Sequence, residues 1–364
     1  MRILYGVVGE GMGHAIRSRV VIEHLLRRGH QVHVIASSRA ADFLARHAHT
    51  VQRIHGLHIV ADENRVRKGR TLLSNLVQGT LALPRQMGAY FELLQRYSPE
   101  AVISDFESWT YTYGKAHRLP IISIDNAQII NRCAHPDAIL VGEKANYQIA
   151  KTVVKSKLPH CNAYLITTYF FPPVCKKRTW LYPPILRPEV LAADVQRGDH
   201  LLVYQTAEGH SALAEALQQQ GIECRIYGMR RHIQEEQVEG CLRYRPFDET
   251  RFIDDLASAK AVIAGGGFTT LSECVYLHKP VLSVPIMGQF EQIMNARYLQ
   301  HEGYGMCATE VDTAVLRRFL EGLAHFDARL ATYSQQGNEA LLTALDGHLD
   351  ALITPASAPA GDAR

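Results

Sequence analysis

The sequence lacks the cysteine and histidine patterns of disulfide-bonded domains and metal centres. Its seven cysteines are scattered, odd in number and never spaced Cys-x-x-Cys. This favours a reducing compartment with free thiols over a disulfide framework. The 18 histidines include no His-Glu-x-x-His motif, the spacing that presents two zinc ligands on one helix face.

Long apolar runs and a strong net charge are also missing. No uncharged apolar stretch approaches the roughly 20 residues that cross a bilayer, and the N-terminal apolar run is too short for a signal peptide. The net charge of +3 does not argue for nucleic acid as a partner, but it is compatible with anionic substrates or a membrane surface. We therefore expect a cytoplasmic protein that can touch the inner face of the membrane peripherally.

Short apolar runs alternate with amphipathic stretches along the chain, a pattern typical of βαβ units and parallel sheets. The chain of 364 residues is longer than the length usually organised around one hydrophobic core. A proline-rich segment at 171–188 separates two runs of alternating strands and helices. We expect an α/β protein of two Rossmann-like domains whose parallel sheets face a central cleft. The predicted boundaries are a first domain at 1–180, a linker at 181–198, a second domain at 199–352 and a disordered tail at 353–364.

The predicted elements follow from the period of the apolar residues. Strands are expected at 3–8, 31–36, 101–104, 121–124, 201–204, 224–227, 261–264 and 281–284. Helices are expected at 15–28, 40–47, 211–219, 250–258, 269–278 and 292–301. Because ligands of doubly wound folds bind at the carboxyl ends of the strands, the loops after these strands are where chemistry is expected.

The most informative segment is residues 264–273, Ala-Gly-Gly-Gly-Phe-Thr-Thr-Leu-Ser-Glu. A strand that runs through Gly265, Gly266 and Gly267 into a helix offers unpaired N–H groups and a positive dipole to a phosphate. Glu273 follows about two turns later, where a carboxylate can reach a ribose hydroxyl. The alternative is a tight strand-to-helix connection without a ligand. Neither the dinucleotide fingerprint nor the P-loop is present.

A second glycine-rich loop, Gly-Glu-Gly-Met-Gly-His at residues 9–14, follows the first strand. Gly11 and Gly13 suit an anion at the helix entrance, and Arg17 lies on the helix. His14 is a candidate general base for a hydroxyl, although a histidine there can also cap or pack. Asp105, at the end of another strand, can orient His14 or serve as a helix N-cap.

Asp125 is a weaker candidate of the same kind as Asp105. Glu291 and Gln292 open a helix after the strand at 281–284. Such a pair is ordinarily a solvated first turn, but a carboxylate and an amide at a cleft also suit sugar hydroxyls, which both donate and accept.

These motifs together resemble a known family. The stretch 246–296 is similar to the donor half of GT-B glycosyltransferases, and in particular to the family of the lipid-linked N-acetylglucosaminyltransferase of peptidoglycan synthesis. The resemblance rests on the glycine turn, Thr270-Leu-Ser-Glu273, and Glu291-Gln292 before Asn295-Ala296. The loop at 9–14 also resembles that family's acceptor-side loop.

The resemblance implies roles for individual residues. Phe247 lies near the base, Glu273 binds the ribose, and Glu291 with Gln292 holds the donor sugar. Gly266, Gly267 and Thr269 hold the diphosphate, and Gly265 and Thr270 belong to the same donor-binding signature. Glu291 replaces the Gln or Asp more often found there, which leaves the identity of the sugar open. The family needs no metal, and the sequence has no Asp-x-Asp motif.

The sequence therefore predicts an inverting, metal-independent glycosyltransferase without a cofactor. It would move a sugar from a nucleotide-diphosphate donor, a UDP-sugar by resemblance, to a hydroxyl of a small molecule, glycan or lipid-linked saccharide. His14 would act as base, supported by Asp105. Two alternatives are a nucleotide-sugar hydrolase of the same fold and a non-catalytic nucleotide-sugar binding protein.

A basic stretch at 65–70 precedes an apolar run at 72–83. Cations beside apolar residues suit an anionic membrane or a lipid pyrophosphate. The alternative is an exposed loop before an ordinary amphipathic helix. Further cations that can extend a basic face are Lys151, Lys155, Lys157 and residues 176–178.

Overall fold

The computed structural model describes residues 1–9, 11–47, 50–54, 61–62, 65–66, 95–205, 211–230 and 232–353. Apart from residues 65–66, the predicted basic and apolar stretch at 65–83 lies outside these ranges, as does the predicted tail beyond residue 353. Within the described part of the chain, no helix is both long and apolar enough to cross a bilayer.

The first domain is built on a parallel seven-stranded sheet in the order β3-β2-β1-β6-β7-β8-β9. Its strands are β1 Arg2–Val7, β2 Gln31–Ser37, β3 Val51–Ile54, β6 Ala101–Asp105, β7 Ile121–Asp125, β8 Ala163–Thr167 and β9 Thr179–Tyr182. A separate antiparallel pair comprises β4 Ala61–Asp62 and β5 Arg65–Val66. The inner strands are continuous buried runs, as expected for a sheet covered on both faces.

The second domain repeats this design in the order β12-β13-β11-β10-β14-β15-β16. Among the described strands of this sheet, β12 alone pairs antiparallel. Its strands are β10 Leu201–Tyr204, β11 Cys224–Tyr227, β12 Gln237–Glu239, β13 Leu242–Arg245, β14 Ala261–Ala264, β15 Val281–Ser283 and β16 Gly305–Cys307. The fold prediction of two Rossmann-like α/β domains is thus confirmed.

The helices of the first domain are α1 Met12–Arg27, α2 Ser38–Leu44, α3 Ser108–Ala116, α4 Ile129–Arg132, α5 Asp137–Leu140 and α6 Lys144–Lys157. A short helix, α7 Pro188–Leu191, follows β9 and precedes β10 along the chain. The remaining helices are α8 Ser211–Gln220, α9 Glu249–Ala257, α10 Phe268–Tyr276, α11 Phe290–His301, α12 Thr313–Glu321, α13 Leu323–Leu330 and α14 Glu339–Ile353.

Both sheets place a topological switch point at the same kind of edge. In the first sheet, the strands before and after the switch point are added in opposite directions from the parallel pair β1 and β6, where Val7 pairs with Asp105. In the second sheet, the same change occurs between the parallel strands β10 and β14, where Tyr204 pairs with Ala264. The loops that leave these strands diverge and open a crevice, which is the ligand site of doubly wound folds.

Helix α11 packs between the two domains. Its buried residues lie on all sides of the helix, because both domains cover it. The ring of Tyr298 stacks on Phe170 at 3.9 Å, and its hydroxyl is 2.8 Å from His135 Nδ1. Phe290, at the start of the helix, contacts Tyr147. The helix that begins with the predicted sugar-binding pair is therefore fixed to the first domain as well as to the second.

The final helix, α14, returns to the first domain. Leu341, Leu342, Leu345 and Leu349 are buried in the core of the first sheet. Asp346 lies 2.9 Å from His24 Nε2 on α1. The first domain is therefore formed from two separate parts of the chain.

Candidate functional site

The two glycine-rich loops meet across the crevice. A Cβ built on Gly13, in the first turn of α1, would lie 2.3 Å from Thr269 Oγ1 on α10. A side chain at this position would have to displace Thr269, so a glycine favours the close approach of the two helix starts. Gly11 precedes α1 with φ 84°, a left-handed conformation that also favours glycine. The predicted acceptor-side and donor-side loops therefore lie against each other across the crevice.

The triple glycine is held by α11. A Cβ on Gly266 would lie 2.4 Å from the backbone oxygen of Gln292, whereas one on Gly267 would meet nothing within 4 Å. Asn295 Nδ2 donates to the Gly266 oxygen at 3.1 Å, and Gln292 Oε1 accepts from the Ile286 amide at 3.1 Å. Gly266 thus provides close packing, and Gly267 borders open space.

Three helices begin at this site: α1, α10 and α11. In the described structure, their N-cap residues Gly11, Gly267 and Gln289 make no side-chain capping bond. The first N–H groups of each helix therefore remain available to a ligand. Such N-termini favour anionic groups.

His14 and Asp105 form the pair that the sequence predicts. His14 Nδ1 lies 2.8 Å from Asp105 Oδ1, and the two side chains are 16% and 0% exposed. His14 Nδ1 also lies 2.9 Å from Arg17 Nη2, which only donates, but that nitrogen makes the shorter bond, 2.6 Å, to Asp105 Oδ1. Because an ionised carboxylate only accepts hydrogen bonds, we assign the Nδ1 proton to the bond with Asp105. This tautomer leaves Nε2 unprotonated and able to act as a base.

Asp105 is also bound to Arg17, which lies within α1. Arg17 donates from Nε at 3.0 Å and from Nη2 at 2.6 Å, and Ser18 Oγ donates at 2.9 Å. Burial opposes ionisation of Asp105, but Arg17 and His14 hold its pKa below the ordinary value. Burial also disfavours the Arg17 cation, and Asp105 overcomes it, so that the Arg17 pKa is raised. The carboxylate therefore stays ionised beside His14.

Asn126 connects this hydrogen-bond network to the second domain across the crevice. Its Oδ1 accepts from Arg17 Nη1 at 3.1 Å, and its Nδ2 donates to Glu291 Oε1 at 2.7 Å. Asn126 is 4% exposed. Glu291 in the second domain is thus joined through Asn126 and Arg17 to the His14–Asp105 pair.

Glu273 lies on α10 but is 2% exposed. Arg187, just before α7, donates to both of its oxygens, at 2.8 and 2.9 Å, and also to Glu249 at 2.7 Å. Burial raises the pKa of Glu273, while Arg187 opposes this rise. The ribose contact of Glu273 stays a prediction.

Phe247 lies beyond the end of β13 and is 62% exposed. Its ring is 5.7 Å from Phe252 and 6.4 Å from Tyr204 and Tyr227. A large exposed ring that packs on other aromatic side chains can stack on a planar ligand. Its proximity to a nucleotide base stays a prediction.

Of the remaining candidates, Asp125 is 1% exposed and stabilises the turn that follows β7. It accepts from Ser123 Oγ at 2.6 Å and from the Gln128 amide at 2.7 Å. Across the residues that the structure describes, no group of three His, Cys, Asp or Glu side chains could hold a metal ion.

Sequence reasoning missed Asn126 and Arg187. Asn126 directly follows β7, so the rule that selects Asp105 at a strand end could have found it. Arg187 has no local signal, because its contact with Glu273 joins residues 86 positions apart.

Comparison with known proteins agrees with this architecture. Residues 1–324 match the family described as Glycosyl transferase family 1. An uncharacterized glycosyltransferase of Methanosarcina mazei is 24% identical, over 90% of this chain and 92% of the relative.

Solved structures show the same fold at lower identity. The Streptomyces sp. SF2575 glycosyltransferase SsfS6, complexed with thymidine diphosphate, has a TM-score of 0.61 and 18% identity, over 95% of this chain and 99% of its own. MurG of Acinetobacter baumannii has a TM-score of 0.62 and 15% identity, over 96% and 99%. The chain belongs to glycosyl transferase family 1 and is a glycosyltransferase of the GT-B fold.

Proposed function

We propose that this glycosyltransferase transfers a sugar from a nucleoside-diphosphate donor to an acceptor hydroxyl with inversion at the anomeric carbon. The observation that carries the proposal is the His14–Asp105 pair, which lies at the contact between the α1 and α10 helix starts. A base and an anion site are the two groups that a single displacement needs on opposite sides of the sugar.

In this displacement, His14 Nε2 takes the proton of the acceptor hydroxyl. The acceptor oxygen forms a bond to the anomeric carbon, and the bond from that carbon to the diphosphate oxygen breaks. Asp105 stabilises the imidazolium that forms, since its carboxylate is ionised and bound to Nδ1. Transfer to the opposite face inverts the anomeric configuration.

We assign the leaving diphosphate to the start of α10, beside Gly266, Gly267 and Thr269. Backbone N–H groups and the helix dipole stabilise its charge as the bond breaks. We propose that this replaces a divalent metal and that the enzyme needs no cofactor. Turnover that persists in EDTA would support this part, and restoration by Mg²⁺ after its loss in EDTA would overturn it.

The remaining donor groups are assigned along the same edge. Phe247 stacks on the base, Glu273 accepts from the ribose, and Glu291 with Gln292 binds the sugar. Arg187 also donates to Glu249, so its charge stays paired when a ribose hydroxyl engages Glu273. Uridine is the base implied by the family resemblance; the thymidine diphosphate complex of SsfS6 makes thymidine the second base to test.

The proposed acceptor is a small molecule, a glycan or a lipid-linked saccharide. A MurG-like role in cell-envelope synthesis belongs to the last class, and it includes a cytoplasmic location at the inner face of the membrane. The protein would then meet a soluble donor and a membrane-bound acceptor from the same side.

A thermal-shift panel of UDP- and dTDP-sugars would identify the donor, because a ligand that binds only the folded state raises the melting temperature. H14A should bind that donor as wild type does but should not transfer its sugar, while H47A, which alters an exposed histidine of the same domain, should retain transfer. Full turnover by H14A would overturn the assignment of the base.

The same experiment separates the alternatives. Breakdown of the donor at full rate without an acceptor would identify a hydrolase. Donor binding without any turnover, even with cell extract as the acceptor source, would identify a binding protein.

A further inference from the structure

Several contacts between the two domains converge on α11, the helix that carries the predicted sugar-binding pair. At its start, Asn126 donates to Glu291 at 2.7 Å. In its middle, the hydroxyl of Tyr169, which lies just beyond β8, donates to the Asn295 oxygen at 2.7 Å. Tyr298 adds the stacking contact described above. The first domain therefore holds α11 at several levels along its length.

Arg297 makes a further contact of this kind. Its Nη1 donates to the backbone oxygens of Ile139 and Val141, both at 2.7 Å. These oxygens lie at the end of α5, where helix carbonyls lack a partner within the helix. Because a terminal guanidinium nitrogen carries two protons in a fixed plane, it can engage both oxygens at once. The contact therefore fixes the direction of approach as well as the distance.

Helix α11 joins this contact to the donor-binding turn. Arg297 lies six residues after Glu291, about 9 Å along the helix axis at 1.5 Å per residue. Between them, Asn295 Nδ2 donates to the Gly266 oxygen at 3.1 Å. The helix and the triple glycine are thus one unit of the second domain. Any contact that ties α11 to the first domain also sets the distance of this unit from His14.

We propose that Arg297 is a positioning residue for sugar transfer, which holds the donor unit of the second domain at its reactive distance from His14. This inference rests on the proposed function. The groups assigned to the donor all belong to the second domain, so loss of the Arg297 contact leaves donor binding intact and displaces the sugar from the base. A displacement of about 1 Å can lower a rate by about 100-fold.

The alternative is a contribution of Arg297 to stability alone. Arg297 is partly buried, and loss of its hydrogen bonds to backbone carbonyls would lower the free energy of unfolding. A role of that kind leaves the turnover of the folded enzyme unchanged. Turnover at saturating donor, compared with the donor KM, therefore separates the two roles.

The variant R297M tests the proposal. Turnover is measured as release of nucleoside diphosphate from the donor that the thermal-shift panel identifies, with cell extract as the acceptor source. Turnover at saturating donor should fall about 10- to 100-fold. The donor KM, and the affinity for UDP or dTDP alone in calorimetry, should stay within about twofold of the wild-type values. R297K, whose ammonium group retains three donors, should recover most of the lost turnover.

A matched control lies at the other end of the same helix. Arg329 Nε also donates to a backbone oxygen, that of Glu302 directly after α11, at 3.1 Å. Both residues belong to the second domain, so R329M removes an arginine-to-carbonyl contact without loosening the two domains. R329M should therefore keep the wild-type turnover.

The outcomes separate this inference from the proposed function. Wild-type turnover by R297M, with or without a lower melting temperature, would overturn the positioning role of Arg297. Equal losses in R297M and R329M, or a raised donor KM in place of lost turnover, would overturn it as well. These results would leave the proposed sugar transfer standing, whereas a wild type that releases no nucleotide from any donor would overturn the proposed function itself.

Discussion

Replacement of Asp105 by asparagine should separate the catalytic from the structural role of this carboxylate. Asp105 is fully buried and accepts four hydrogen bonds, from His14, Ser18 and two nitrogens of Arg17. D105N leaves the Arg17 cation, whose side chain is 3% exposed, without its counter-charge. Loss of one partner of a buried ion pair costs about 3–5 kcal/mol, so D105N should lower the free energy of unfolding by about that amount.

The catalytic loss should be of similar size but of different origin. Without the carboxylate, the His14 imidazolium is not stabilised and its tautomer is not fixed. The equivalent change in a serine protease triad lowers kcat by about 10,000-fold, and we expect a loss of about 1,000- to 10,000-fold here. Donor affinity should stay within about twofold, since Asp105 lies in the first domain.

The double variant R17M/D105N decides between the two roles. Removal of the buried cation should recover about 2 kcal/mol or more of unfolding free energy relative to D105N, measured by urea denaturation. The kcat of transfer to the acceptor should stay at the D105N level. If kcat recovered together with stability, Asp105 would serve only to neutralise Arg17, and the catalytic reasoning would be refuted.

Three further predictions concern the second domain. G266A should lower the free energy of unfolding by about 1–3 kcal/mol in denaturation, because its Cβ clashes with Gln292. G267A should leave stability unchanged but weaken donor binding in calorimetry. Equal effects of the two variants on stability and binding would contradict these separate roles of the glycines. F247A should weaken nucleotide binding by about 1–3 kcal/mol, the usual loss of an aromatic stacking partner, with little change in melting temperature; unchanged affinity would remove Phe247 from the site. Burial lowers the pKa of Lys279 from 10.5 to about 8, so the unfolded chain binds more protons than the folded chain between these pH values. The free energy of unfolding of the wild type should therefore rise by up to about 3 kcal/mol from pH 8 to 10.5, relative to that of K279M. Parallel pH profiles of the two proteins would contradict this.

The sequence predicted the fold because the strands and helices follow local rules. Buried parallel strands appear as short apolar runs, and the glycine turns mark where two of them enter helices. The same reasoning placed His14 and Asp105 at two strand ends. Their contact then follows from the pairing of β1 with β6, which aligns Val7 with Asp105.

The contacts between distant segments could not be predicted in this way. The bond from Asn126 to Glu291 spans 165 positions, and the pairing of Arg187 with Glu273 requires the exact path of the linker. Period and composition describe one element at a time, so they do not show which side chains meet across a cleft. The packing of α11 against both domains could not be predicted either, because a helix that is covered on all sides has no amphipathic pattern in its sequence.

The return of α14 to the first domain has a consequence for biosynthesis. A ribosome releases the strands of the first sheet early, but the leucines that complete its core, Leu341 to Leu349, are made only after the entire second domain. Domains generally fold as units during synthesis, and here the N-terminal unit must wait for the C-terminal one. The first domain is therefore completed last, and a nascent chain that stalls within the second domain would expose the unfinished core of the first.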